Sequence, residues 1–204
     1  MSQTEIVILA NSVKHGQHCV AGKCMNTGRW IRPVSNAQGA ELSHEQAKYQ
    51  NPYGTYGVKP LQKIRMGFSQ HVPLPHQPEN YLIDGNLWQQ NYSIGVGDLP
   101  NYLDQPVDIW GQDNRVQHAL ITSGLYNVPQ SLYLVQVEGL SLYNTDDGKR
   151  RASFTYNGIT YDLAVTDPKF DEIVRDNRDV NQILCISLGE EYQGYCYKLV
   201  ATIF

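Results

Sequence analysis

No apolar run in the sequence approaches the roughly 18 residues that a membrane-spanning helix needs, so no helical span is expected. The opening MSQTEIVILANS has no basic leader and too short an apolar stretch for a signal peptide, which predicts a cytoplasmic protein. Cysteine is sparse, four in 204 residues, and in a reducing compartment these read as free thiols rather than a disulfide framework. A basic excess is missing too. The net charge is −4, whereas proteins that grip duplex DNA non-specifically gain affinity by neutralising phosphates. A local basic patch stays open. There is no G-x-S-x-G, no phosphate-cradling glycine loop and no H-E-x-x-H, so the sequence leans away from catalysis and implies no cofactor. Phenylalanine is scarce (4) where tyrosine is abundant (14), and with 17 Gly and 10 Pro the composition favours β structure with many turns.

The C-terminal third is the most legible part. SLYLVQVEGLSLYNT (131–145) reads as a long strand in which Val135 and Val137 share a face; after Gly139 the apolar phase passes to Leu140 and Leu142. A change of phase at a glycine is the signature of a β-bulge. Asn157-Gly158 predicts a type I′ hairpin. It pairs Tyr156 with Ile159, Phe154 with Tyr161 and Ala152 with Leu163, all on one apolar face. Asp167-Pro168 then starts a short helix over 168–176. Strands at 183–188 and 195–204 follow, and in the last one Tyr195, Tyr197, Leu199, Ala201 and Ile203 form an apolar stripe. Three strands, a helix and two strands is the OB-fold arrangement, with a generic β-sandwich as the alternative.

Before it, strands are expected at 5–12 and 61–72, and a hairpin from HCVAGKC and WIRPVS. Short helices are expected at 43–50 and 98–105, and PLPHQPENYLIDGNLWQQ is expected to be a packed loop with a little extended structure. The whole reads as mostly β: an elaborated N-terminal barrel carrying loops and short helices over 1–127, and a second barrel over 128–204.

A two-residue turn at Thr27-Gly28 would set Met25 against Trp30 and Lys23 against Arg32, with Lys23, Trp30 and Arg32 on one face. An aromatic plate beside two cations suits a nucleotide, the base stacking and the phosphate neutralised. Lys23, Trp30, Arg32 and Arg65 are the expected ligand-binding residues; a core Trp30 and an Arg32 paired with Glu79 are the structural alternative. Lys149, Arg150 and Arg151 form a secondary basic loop, where OB-folds often contact oligonucleotides. His76 and Glu79, with Asp84 nearby, are the weak acid–base candidates. His15, His18, Cys19 and Cys24 do not match a familiar zinc spacing, so no metal is expected.

VILANSVKHGQHCVAGK, GRWIRPVS and the later PHQPENYLI resemble the prokaryotic dual OB-fold proteins. The resemblance implies two OB-like barrels spanning the chain, and an accessory role in nucleic-acid metabolism or anti-phage defence. The expected function is a non-catalytic module for nucleic acid or a nucleotide-like anionic ligand. The alternatives are a protein–protein adaptor using a Tyr-rich surface and, further off, a hydrolase or nuclease centred on His76 and Glu79.

Overall fold

The computed structural model describes residues 3–14 and 16–204, in two compact units, Met1–Tyr102 and Leu103–Phe204. The sequence-based division at 127/128 lies further along the chain, and Ile109, Trp110, Val116 and Ile121 belong to the core of the second unit. Among the described residues, no helix is long and apolar enough to cross a membrane.

The first unit comprises β1 (Gln3–Lys14), β2 (Gln17–Cys24), β3 (Trp30–Val34), β4 (Lys48–Asn51), β5 (Gly54–Gly57), β6 (Gln62–His71), β7 (Asn80–Ile83) and β8 (Trp88–Ser93), then a 3-10 helix, Val96–Tyr102. The order β1-β2-β3-β7-β6 closes on itself through a β1–β6 pairing, with β3 and β7 parallel. That ring is the OB topology. Ile6 and Ile8 of β1, Val20 of β2, Ile31 of β3 and Ile64 and Met66 of β6 point into it, joined by Trp88. β8, β4 and β5 extend the sheet from β6.

Two local expectations differ from this. Residues 43–50 hold a turn leading into β4 instead of a helix, and the extended part of 73–90 is larger than expected, comprising β7 and the start of β8. β7 is legible only through its distant parallel partner, since Arg32 sits opposite Asn80.

The second unit comprises β9 (Arg115–Gln117), α1 (His118–Thr122), β10 (Leu132–Gln136), β11 (Glu138–Asn144), β12 (Arg150–Tyr156), β13 (Ile159–Val165), α2 (Phe170–Arg175), β14 (Ile183–Tyr192) and β15 (Tyr195–Ile203). Only Val137 separates β10 from β11, so they are halves of one long strand, and the order β10-β14-β15-β13-β12-β11 is a second OB ring. The bulge lies between Glu138 and Ser141, with Gly139 at φ +61°, a left-handed conformation that glycine adopts freely. Asn157 and Gly158 both have positive φ, and the hairpin pairs in the expected register. Asp167 stands just before α2. Its carboxylate accepts from Lys169 N and Ile203 N, both at 2.8 Å, tying the helix start to the last strand, and burial pushes its carboxyl up.

The apolar stripe on β15 faces the other way from its expected role. Cys196 and Val200 point into the core and Lys198 is buried with them, while Tyr195 and Tyr197 lie half-buried on the outside. Lys198 is tolerated because its ammonium donates to Gly111 O at 2.7 Å and lies 5.3 Å from the centre of the Tyr161 ring. A register shift between Cys185 and Ile186 then lets Ile203 rejoin the core.

Burial pushes the Lys198 amine down to about 8 from an ordinary 10.5. Between these values the unfolded chain still holds a proton that the folded chain has released, so this group adds stability as pH rises through the window. The wild type should therefore gain on Lys198→Met by roughly 3 kcal/mol between about pH 8 and 10.5. Cys196, pushed up to about 11, and Tyr133, to about 12, act in the opposite sense. The difference between the two proteins' melting profiles cancels them, and a flat difference would refute the assignment.

Candidate functional site

The hairpin of β2 and β3 has a longer loop than a two-residue turn. Lys23 is opposite Trp30, Cys24 N donates to Arg29 O, and residues 25–29 form the connection. Lys23, Trp30 and Arg32 share the face opposite Ile31, as expected from alternation. That face is not an open groove. Trp30 is 4% exposed, Lys23 6% and Arg32 8%. Lys23 Nζ donates to Tyr102 O at 2.7 Å and sits 5.3 Å from the Trp30 ring. The end of the 3-10 helix is thus fixed to this face, and Tyr102 Oη also reaches Met25 Sδ at 3.7 Å. Arg32 Nε lies 3.4 Å from Glu79 Oε1, and Arg32 N donates to Glu79 O. Arg65, half-buried on β6, pairs across the sheet with Glu5 and Gln89. A base reaches the indole only if this knot opens.

His76, Gln77 and Glu79, with Asn80 at the start of β7, form a buried polar run after β6. Glu79 is engaged by Arg32, and Asp84 closes a local turn, accepting from Asn86 N and Nδ2 at 2.9 and 2.8 Å. Gly67 makes room for that carboxylate: a Cβ there would meet Asp84 Oδ2 at 2.0 Å. His76 and Glu79 are thus buried, and Asp84 is half-buried in its turn. In the second unit each cation of the basic loop has an acid: Lys149 with Asp147 at 2.6 Å, Arg150 with Asp171, and Arg151 with Asp162 at 3.0 Å. His15 lies outside the described residues; Cys24 is buried and Cys19 half-buried.

The sequence reading missed a different surface. The chain from Asp108 turns sharply through Trp110 and Gly111, both with positive φ. Asp108 Oδ1 accepts from Gly111 N at 2.6 Å, and Trp110 Nε1 donates to Gln130 O at 2.9 Å while its ring packs on Tyr133. This anchored turn delivers β9 to β15, with Arg115 opposite Tyr197 and Gln117 opposite Tyr195. The Arg115 guanidinium lies 4.0 Å from the centre of the Tyr195 ring and donates to Tyr197 Oη at 3.0 Å. Tyr192 and Tyr195 flank the tight Gln193-Gly194 connection, where Gly194 N donates to Glu191 Oε1, and Tyr192 is 62% exposed. A cavity of about 500 Å³ opens beside the platform, lined by Trp110, Gln112, Asp113, Asn114, Arg115 and Tyr195 among others. Its size is typical of small-ligand sites. A wider recess of about 770 Å³ near Tyr156 and Asn157 has Asp104 and Asp108 in its lining and no cation. The available signal was YCYKLV: read as outside-inside alternation it exposes two tyrosines, but the lysine made the opposite phase look polar.

A family model described as a dual OB-containing domain matches residues 4–203. The chain belongs to that family. As a dual OB-containing domain it accounts for both rings: each unit is one barrel, and the 3-10 helix ends the first. No curated protein matches it. A solved structure titled "Crystal structure of the tetrameric p202 HIN2" covers 98% of this chain and 88% of its own, at 9% identity and a TM-score of 0.31, too low to bear on fold or function. In this dual OB-containing domain the Gln193-Gly194 connection joins the fourth and fifth strands of the second barrel, one of the two loops through which OB-folds bind oligonucleotides.

Proposed function

We propose that this protein is a non-catalytic binding module whose second barrel takes a nucleotide-like ligand or a single strand of nucleic acid at the Arg115–Tyr195–Tyr197 platform. The ligand class is the one expected from the sequence; the contact surface moves away from Lys23, Trp30 and Arg32 because those side chains are buried and engaged. The observation that carries the reading is the exposed guanidinium stacked on Tyr195 beside a ligand-sized cavity. Bases stack on aromatic rings and on guanidinium planes without regard to sequence, and Arg115 keeps donors for one phosphate after its bond to Tyr197. Gln112, Asp113 and Asn114 supply amide and carboxylate groups that can read a base edge.

A second reading, a protein–protein adaptor, is favoured by the exposed Tyr53, Tyr92 and Tyr192, since tyrosine offers contact area with a polar tip. Titration of a labelled short single strand at several salt concentrations separates the two. One phosphate on Arg115 gives a slope of about −0.7 in log K against log salt. An aromatic protein interface leaves the strand unbound at every salt concentration. A hydrolase at His76 and Glu79 would first have to break the Arg32–Glu79 pair.

A further inference from the structure

The first barrel carries a second chemical juxtaposition that the platform does not use. His18 on β2 and His44, in the turn just after Leu42, place His18 Nε2 and His44 Nδ1 3.4 Å apart. Reciprocal backbone bonds between His18 and Leu42, at 2.8 and 3.0 Å, hold the two segments together. His44 is exposed and His18 half-buried, so the pair opens to solvent.

A chain of hydrogen bonds fixes which nitrogen of His18 is available. Asn11 Nδ2 donates to Val58 O at 2.6 Å, and a carbonyl oxygen can only accept, so the orientation of the Asn11 amide is set. Its Oδ1 then faces His18 Nδ1 at 3.1 Å and must accept from it. In neutral His18 the proton therefore sits on Nδ1, and Nε2 turns its lone pair toward His44. The separation between the two facing nitrogens exceeds the roughly 2.7–3.2 Å usual for N–H···O bonds and corresponds to a weak N–H···N bond from His44 Nδ1. It fits another geometry. Two nitrogens bound to one tetrahedral zinc ion, each about 2.0–2.1 Å from the metal, lie about 3.3–3.4 Å apart.

We propose that His18 and His44 form a binding site for a divalent transition-metal ion of the zinc type, with Asn11 as the positioning residue. Among the described residues no group of three or more His, Cys, Asp or Glu gathers into a closed metal cage, so water fills the remaining positions and the ion exchanges readily. The second ligand comes from a turn far along the chain, not from Cys19 or Cys24, which is why the local H-x2-H-C spacing gave no zinc signal. A bound ion would staple the segment that carries His44 to β2.

The test is calorimetric titration of zinc into tag-free, chelator-treated protein at about pH 7.5, alongside thermal melts with and without zinc. The wild type should bind, and its melting temperature should rise on zinc addition. His44→Ala, at an exposed turn, should keep the circular dichroism of the wild type, lose at least about tenfold in affinity and lose the thermal shift. Asn11→Ala should weaken binding by about 10- to 100-fold, as loss of an orienting partner does at histidine–metal sites. Absence of zinc uptake by the wild type, or equal affinity in His44→Ala, would overturn the assignment.

Discussion

Arg32→Glu strongly destabilises the first barrel instead of merely weakening a ligand. Arg32 and Glu79 are 8% and 6% exposed, their side chains meet at 3.4 Å, and their backbones are joined where β3 runs into the start of β7. Charge reversal would bury two facing carboxylates at the β3–β7 seam of the ring. Breaking a buried ion pair from one side costs about 3–5 kcal/mol, because the charge left behind is held out of water without its counter-ion. Domains of this size have about 5–15 kcal/mol in total. The urea midpoint of the first unit should fall sharply in Arg32→Glu, and in Glu79→Ala by a similar margin. The double replacement Arg32→Met with Glu79→Leu should recover most of the loss, since apolar groups of similar volume substitute well for buried pairs. A wild-type midpoint in Arg32→Glu would mean that the pair is not holding the seam.

Arg115→Glu leaves the second barrel folded and removes ligand binding. Arg115 is exposed, so losing its contacts with Tyr195 and Tyr197 should lower the unfolding midpoint only modestly and leave the fold intact. Losing a hydrogen bond to a charged group costs about 1.5–3 kcal/mol, or about 10- to 100-fold in affinity for a phosphate-bearing strand. The introduced carboxylate adds repulsion. Tyr195→Ala removes one stacking face and should cost about 1–3 kcal/mol on its own. Because the guanidinium lies directly on that ring, the two substitutions should be strongly non-additive in a double-mutant cycle. Anisotropy of a labelled single strand provides the measurement, with unfolding curves as the control. Unchanged affinity in both variants would take the platform out of the binding account.

The second barrel was legible because its β11–β12, β12–β13 and β14–β15 pairings join strands adjacent in sequence. Asn157-Gly158 dictates one hairpin outright, and the phase change from Val137 to Leu140 announces the bulge without any knowledge of a partner strand. The first barrel closes through Glu5 opposite Arg65 and Arg32 opposite Asn80, contacts between distant segments that leave no periodic mark in the sequence. Side chains on a shared face were also readable: Lys23, Trp30 and Arg32 do lie together. What covers that face was not, because alternation assigns sides and says nothing about the Tyr102 carbonyl that arrives from the 3-10 helix. The platform was hidden by the reverse effect. A lysine is the last residue expected in a core, so burying Lys198 inverts the reading of its whole strand and brings Tyr195 and Tyr197 out to meet Arg115.

Backbone amide shift mapping during titration with a short single-stranded oligonucleotide tests the central claim most directly. The account expects the perturbed amides to cluster at 112–117 and 192–197, with residues 23–32 unmoved. Perturbations centred on Lys23, Trp30 and Arg32, or no perturbation at saturating oligonucleotide, would contradict it.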